Sequence, residues 1–142
     1  MRVMVIVKAS AETEKGVLPT EQQLAEMGAY NEKLVKAGVL LAGEGLHPTS
    51  KGARVRFSGG QPSIVDGPFT EAKELAAGFW LWQVASMDEA KEWARRCPAP
   101  TGDGGGELEI RPVLEAADFG EALTPELQAH DARLRAEVES RQ

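Results

Sequence analysis

Three titratable side chains lie next to glycine or proline where the sequence predicts that strands end. Glu44 stands between two glycines, His47 precedes a proline, and Asp66 precedes a Gly-Pro step. Carboxylates and imidazoles exchange protons near neutral pH when they are positioned in a cavity. The residue types therefore predict acid/base chemistry that needs no cofactor, in which Asp66 or Glu44 takes a proton and His47 returns it.

Each of the three residues also has a structural interpretation. Asp side chains accept hydrogen bonds from backbone N–H groups two residues on, so Asp66 can stabilise its own turn. His47 can be a solvated loop residue. As a functional group Glu44 would face the cavity and pair with Arg54 or Arg56, and its structural alternative is an ordinary ion pair at a sheet edge.

Cationic and aromatic side chains supply candidate ligand contacts. Arg54, Arg56 and Lys73 are candidates to bind an anionic small molecule such as a carboxylate. The alternation of the two arginines is equally typical of the solvated face of an exposed hairpin. Trp80 and Trp82 are candidates to line a ligand pocket, and they also fit the core of a protein interface.

Composition excludes several classes of function. The net charge of −6, from 16 basic and 22 acidic residues, disfavours nucleic-acid binding. No apolar run approaches the roughly 20 residues that a membrane span needs, and the first residues show no signal-peptide pattern. The two histidines and the single Cys97 have no metal-ligand spacing, so neither a metal nor a cofactor is expected. A reducing cytoplasm fits these features.

The elements that must position these residues follow from the periodicity of apolar residues and from the capping, glycine and proline residues that mark their ends. Helices are predicted to begin after Thr20, Ser86 and Thr124. Strands are predicted over 2–9, 39–42, 78–84 and 108–113, and a hairpin over 54–57 and 63–65. Without the hairpin, the order is β-α-β-β-α-β. The sequence therefore predicts a ferredoxin-like α+β fold with an inserted β-hairpin and a C-terminal helix.

The residue pattern of the strand over 78–84 predicts that the sheet packs against a second copy of the chain. Its alternation places Phe79 and Leu81 on one face and Trp80 and Trp82 on the other. We expect the two tryptophans on the face that the helices leave open. An aromatic face of that size is unusual on a monomer, so two sheets are predicted to meet in a homodimer that encloses a small cavity.

Several strings carry a resemblance to a known family: AGEGLHP at 42–48, DGPFTEAKE at 66–74, WARRCP at 93–98 and EIRPV at 109–113. Over residues 1–118 the chain resembles the YCII-related family, in its DGPF branch. The resemblance implies a dimeric α+β barrel and leaves residues 119–142 as a C-terminal helical extension. The wider family is similar to muconolactone-isomerase-like and chloromuconolactone-dehalogenase-like proteins, in which a histidine and an aspartate are suspected of acid/base work.

Two functions remain open at this point. The first is an enzyme, without a cofactor, that acts by acid/base chemistry on a small organic acid or lactone in the dimer cavity. The second is a non-enzymatic module that binds a small ligand or another protein. In the second case the DGPF turn is structural, and the C-terminal helix contacts the partner subunit or another protein. A haem-dependent role would require His47, a loop residue, as axial ligand, and rests on fold analogy alone.

Overall fold

The computed structural model describes residues 1–142, which divide into two compact units, 1–112 and 113–142. In the first unit the elements are β1 (Arg2–Lys8), α1 (Ala11–Glu14), α2 (Glu21–Lys36), β2 (Leu40–Gly45), β3 (Ala53–Ser58), β4 (Gln61–Asp66), β5 (Ala76–Gln83), α3 (Met87–Arg95) and β6 (Leu108–Pro112). The second unit contains a 3₁₀ segment, Ala116–Ala122, and α4 (Pro125–Ser140).

Four strands form the main sheet in the order β2-β5-β1-β6, and every neighbouring pair is antiparallel. With α2 and α3 between the strands, this is the β-α-β-β-α-β arrangement of a ferredoxin-like fold. β3 and β4 form a separate antiparallel hairpin, inserted between β2 and β5. The predicted α+β class, including the inserted hairpin, is confirmed.

The core lies between the sheet and its helices. Val3 is paired with Trp82 and Val5 with Trp80, so all four side chains project from one face of the sheet. Side chains of both long helices of this unit pack against them, namely Tyr30, Leu34 and Ala90. Burial of this apolar surface is the main force that holds α2 and α3 on the sheet.

The expectation that the two tryptophans occupy the open face is wrong. Trp80 is 6 % exposed and Trp82 is 0 % exposed within a single chain. The alternation along β5 is as predicted, but alternation does not tell which face the helices cover. The helices lie on the tryptophan face because that face offers the larger apolar area for burial. A partner subunit is therefore not needed to shield the indoles.

The open face of the sheet carries smaller apolar side chains. Met4 is paired with Leu81 and Ile6 with Phe79, on the face opposite the tryptophans. Met4 is exposed, and the other three are half-buried. Charged residues of both signs flank this group, including the Lys8–Glu109 ion pair at 3.4 Å. The open face is thus apolar in its centre and charged at its margins.

Helix caps lie where the sequence predicts them. The hydroxyls of Thr20, Ser86 and Thr124 each accept a hydrogen bond from the backbone N–H three residues on. The carboxylate of Glu89 reaches back to the backbone N–H of Ala85, one residue earlier than a capping box requires. The single turn of α1 (Ala11–Glu14) is not among the helices that the sequence predicts.

The second unit is almost entirely exposed. No residue of α4 is buried, and its apolar residues Leu127, Leu134 and Val138 are each about half exposed or more. Two ion pairs at four-residue spacing, Asp131–Arg135 and Glu137–Arg141, support the helix. No helix in the chain combines the length and the apolarity that crossing a bilayer requires.

Candidate functional site

A cleft of about 340 Å³ lies between α2 and the β2 edge of the sheet. Its helical wall is formed by Met27 and Asn31. Its floor contains three glycines, Gly43, Gly45 and Gly78, of which the last two are paired with each other across the strands. Because these positions carry no side chain, the sheet is bare beneath the helix and the space stays open.

Trp80 forms one wall of the cleft and requires one of these glycines. Its indole Nε1 donates a hydrogen bond to Asn31 Oδ1 at 3.0 Å, and its ring meets Tyr30 edge-on with centroids 5.8 Å apart. A Cβ on Gly43 would lie 2.7 Å from Trp80 Cδ1. The indole can therefore occupy this place only because residue 43 is glycine.

The same hydrogen bond orients the Asn31 amide. An indole N–H can only donate, so the carbonyl oxygen of Asn31 must face Trp80. The amide nitrogen of Asn31, with two N–H groups, then has no acceptor within the protein. Asn31 is half-buried and lines the cleft. The cleft thus holds a fixed hydrogen-bond donor that is available to an oxygen of a small molecule.

A second groove, of about 800 Å³, adjoins the cleft and shares Gly45 and Ala77 with it. It lies between the segment that follows α1 and the segment that follows β2. His47 lines this groove, whereas Glu44 lines the first cleft. Glu44 is paired with Phe79 and alternates with Gly43 and Gly45, so its side chain projects from the open face and only its backbone borders the cleft. Of the three predicted acid/base residues, His47 alone lines a space next to the cleft. Asp66 lines neither space.

The turn after Asp66 is anchored to the segment that follows β2. Gly67 N–H donates to the Gly52 carbonyl at 2.9 Å, and Phe69 N–H donates to Thr49 Oγ1 at 3.0 Å. A Cβ on Gly67 would overlap the carbonyl oxygen of Thr49. The close approach of the two backbones explains why a glycine follows Asp66.

Thr49 also binds α1, and this contact was not predicted from the sequence. Glu14 accepts from Thr49 N–H at 3.2 Å and from Thr49 Oγ1 at 2.5 Å, one bond to each carboxylate oxygen. The Thr49 hydroxyl thus links Glu14 to the turn at Phe69. Glu14 and Thr49 are 35 positions apart, and no local spacing in the sequence points to the pair.

A family model for the YCII-related domain matches residues 1–117. The chain belongs to the YCII-related family. It is 38 % identical over 93 residues to the uncharacterized protein R00369 of Rhizobium meliloti (strain 1021), which covers 66 % of this chain and 74 % of that protein.

Among solved structures, the YCII-related chain is similar to the 5-chloro-2-hydroxyhydroquinone dehydrochlorinase (TftG) from Burkholderia phenoliruptrix AC1100, in complex with 2,5-dihydroxybenzoquinone. The sequence identity is 17 % and the TM-score is 0.47. The match covers 82 % of this chain and 97 % of the dehydrochlorinase.

The cations that were predicted to bind an anion lie outside both spaces of this YCII-related domain. The guanidinium of Arg54 stacks over the Phe69 ring at 3.8 Å from its centroid, so Arg54 braces the turn that follows Asp66. Arg56 and Lys73 are exposed. Trp80 forms a wall of the cleft, whereas the side chain of Trp82 is fully buried and offers a ligand no surface within this chain.

None of the groups whose pKa is clearly shifted lines the cleft or the groove. Burial raises the pKa of the Cys97 thiol to about 11. Burial is also the main reason why the pKa of Tyr30 is raised, and its hydroxyl donates to the Trp93 carbonyl at 2.6 Å. A hydrogen bond with Glu71 raises the pKa of Glu74. No group of three or more His, Cys, Asp or Glu side chains is arranged to hold a metal ion.

Proposed function

We propose that this YCII-related protein is a cofactor-independent enzyme that moves a proton on a small organic acid or lactone bound in the cleft beneath α2. The observation that carries the proposal is the cleft itself: bare glycine backbone forms the floor, the Asn31 amide supplies an unused donor, and His47 lines the adjoining groove. Such a mostly apolar space with few placed polar groups is typical of small-ligand sites.

In this proposal His47 moves the proton and Asn31 stabilises the charge. The imidazole of His47, in the adjoining groove, removes a proton from a carbon next to the ligand carbonyl, and the electron pair of that C–H bond moves toward the carbonyl oxygen. The Asn31 amide donates to this oxygen while its negative charge develops. The imidazolium of His47 then returns a proton to carbon. The proton count is unchanged, and no oxidant or reductant takes part.

Asp66 is retained as a second candidate base in the proposal. Its turn touches Thr49, two residues after His47, through the contacts of Gly67 and Phe69. His47 is preferred because it lines the groove that adjoins the cleft, whereas the Glu44 side chain is on the opposite face of the sheet. Arg54 is assigned to holding the turn in place, because its guanidinium is engaged by Phe69.

The proposal also includes a homodimer formed through the open face of the sheet. The centre of this face is apolar, with Met4, Ile6, Phe79 and Leu81, and its margins carry both signs of charge. A two-fold axis brings each patch onto its own copy, so a face with both signs can be complementary to itself. The single Cys97 thiol, unpaired and partly buried, agrees with a reducing cytoplasm.

Solvent exchange tests proton transfer without knowledge of the final product. α-Angelica lactone, a small γ-lactone, and its open-chain acid 4-oxopentanoate are incubated with the protein in D₂O, and loss of C–H signals is followed by ¹H NMR. We expect exchange above the rate in buffer with at least one of the two. Substitution of His47 by Gln lowers that rate by about 10²-fold or more.

His130→Gln is the matched control, because His130 is an exposed residue of α4. Its exchange rate equals that of the unmodified protein. Exchange at the buffer rate with both compounds, or an equal rate in His47→Gln, contradicts the proposal.

One observation favours the non-enzymatic alternative. The hairpin exposes an apolar face: Val55 is paired with Ile64 across the strands, and Phe57, on the same side, is 82 % exposed. Such a surface is typical of a site for another protein. Binding of a small molecule in the cleft without solvent exchange, together with a partner bound on the hairpin, supports this second function.

A further inference from the structure

The groove that contains His47 has an unusual charge for this protein. Lys15 and Lys51 line it together with His47, and no Asp or Glu is among its lining residues. The chain as a whole has 22 acidic residues against 16 basic ones. A groove that is lined by positive and by no negative side chains, in a protein with a net negative charge, is a candidate site for an anion.

The two lysines are free to bind a ligand. Neither ammonium group forms an ion pair or a hydrogen bond with another side chain of the protein, in contrast to Lys8 and Lys36, which pair with Glu109 and Glu32. Lysine binds carboxylates as a compact cation with three donors. A ligand that binds Lys15 and Lys51 therefore does not have to break an ion pair within the protein.

Apolar side chains form much of the remaining wall. Val17, Leu18 and Leu46 line the groove and are all at least half exposed, with Leu18 the most exposed at 83 %. Solvent-exposed leucine and valine beside two cations suit a ligand that has an apolar body and one anionic group. Inorganic phosphate or sulfate leaves these side chains in contact with water.

The walls of the groove are held together from behind. Glu14, next to Lys15, accepts both of its hydrogen bonds from Thr49, between His47 and Lys51. Both carboxylate oxygens are therefore engaged, and Glu14 is not among the lining residues. The contact fixes the segment after α1 against the segment after β2, so the groove is built before a ligand arrives.

We propose that this groove binds the carboxylate of a small organic anion, with Lys15 and Lys51 on the charge and Val17, Leu18 and Leu46 on the apolar body. The inference rests on the proposed function and selects the acid rather than the neutral lactone. Because groove and cleft share Gly45 and Ala77, the bound acid extends from the lysines toward the glycine floor.

The experiment compares anions with neutral amides of the same shape. ¹⁵N-labelled protein is titrated with benzoate, hexanoate, benzamide and hexanamide, and amide shifts are recorded. We expect at least one carboxylate to give saturable shifts in residues 15–19 and 46–51, with about tenfold or more weaker binding of its amide. The Lys15→Gln/Lys51→Gln double variant weakens carboxylate binding by a similar factor. The Lys33→Gln/Lys36→Gln variant, on the exposed side of α2, leaves it unchanged.

Three results overturn the inference: equal affinity for acid and amide, saturable shifts confined to other segments, or unaltered binding in the Lys15/Lys51 variant with an unaltered fold. The two proposals fail separately. Carboxylate binding in the groove without solvent exchange rejects the enzymatic function and keeps the anion site. Solvent exchange of the neutral lactone, together with equal binding of acids and amides, keeps the enzymatic function and rejects the anion site.

Discussion

Cys97 and Tyr30 lie close enough that their charges interact, and burial raises the pKa of both. The pKa of Cys97 rises from its ordinary value of 9.0 to about 11. Between these values the unfolded chain has released the thiol proton and the native protein still holds it. The free energy of unfolding therefore falls as pH rises from about 9 to 11, and is unaffected by this group at neutral pH.

This pH dependence is measured by thermal unfolding between pH 7.5 and 10.5. The melting temperature of the unmodified protein declines more steeply above pH 9 than that of Cys97→Ala, which lacks the thiol. Tyr30 contributes a decline in the same direction at higher pH in both proteins. Parallel curves for the two proteins contradict the assignment.

Single residues were predictable from the sequence where their role is local. Thr20, Ser86 and Thr124 cap helices because their hydroxyls bond a backbone group three residues away. Glu44 and His47 were found as candidates because glycine and proline mark the end of a strand. Glu14 and Thr49 could not be found, because their contact joins positions that are distant in the sequence.

Among the elements, the segment after β2 is held by one side chain. Thr49→Val keeps the shape of the side chain and removes the hydroxyl, so Glu14 loses a donor and Phe69 N–H loses its acceptor. We expect a loss of about 1–3 kcal/mol in the free energy of unfolding. Urea unfolding measures this loss, and hydrogen exchange of the Phe69 amide reports the local effect.

Thr49→Ser is the matched control, since it retains the hydroxyl. Its unfolding free energy stays close to that of the unmodified protein, and Phe69 N–H stays protected. If Thr49→Val and Thr49→Ser exchange the Phe69 amide at the same rate, the hydroxyl does not hold the turn.

The order of helices and strands was predictable because apolar periodicity and helix- and strand-ending residues are local signals. This order was sufficient to predict the ferredoxin-like fold. The covered face of the sheet was not predictable in the same way. The strand pattern of β5 separates Phe79 and Leu81 from Trp80 and Trp82, but α2 and α3 determine which pair is buried. The missed α1 is one turn long, too short for a periodic signal.

For the whole molecule, the open sheet face leads to a prediction of mass. We expect sedimentation equilibrium at micromolar concentration to give twice the chain mass of 15.3 kDa. Leu81→Glu, which puts a charge at the centre of the open face, gives the mass of one chain. Val35→Glu, a control on the exposed side of α2, still gives the mass of two chains.

A single-chain mass for the unmodified protein contradicts the homodimer. The cleft beneath α2 does not depend on that outcome, because all its lining residues belong to one chain. This differs from the sequence-based hypothesis, in which the cavity lay between two subunits and the tryptophans faced each other.

The anion groove is also formed by parts of the chain that are distant in the sequence. Lys15 and Lys51 are 36 positions apart, and they line the same groove because α1 contacts the segment after β2. From the sequence, the alternating arginines of the hairpin were the more visible cations. The structure places one of them on Phe69 instead. Long-range packing, which no local pattern encodes, therefore determines which charges surround a ligand.

The most direct test of the central claim, that proton transfer takes place in the cleft beneath α2, fills the cleft. A Cβ on Gly45 meets no atom within 4 Å, so Gly45→Val extends into open space from the glycine floor. Solvent exchange of the substrate that the unmodified protein accepts is measured in this variant. We predict the rate of buffer alone with an unchanged urea midpoint. Undiminished exchange in the folded variant contradicts the claim.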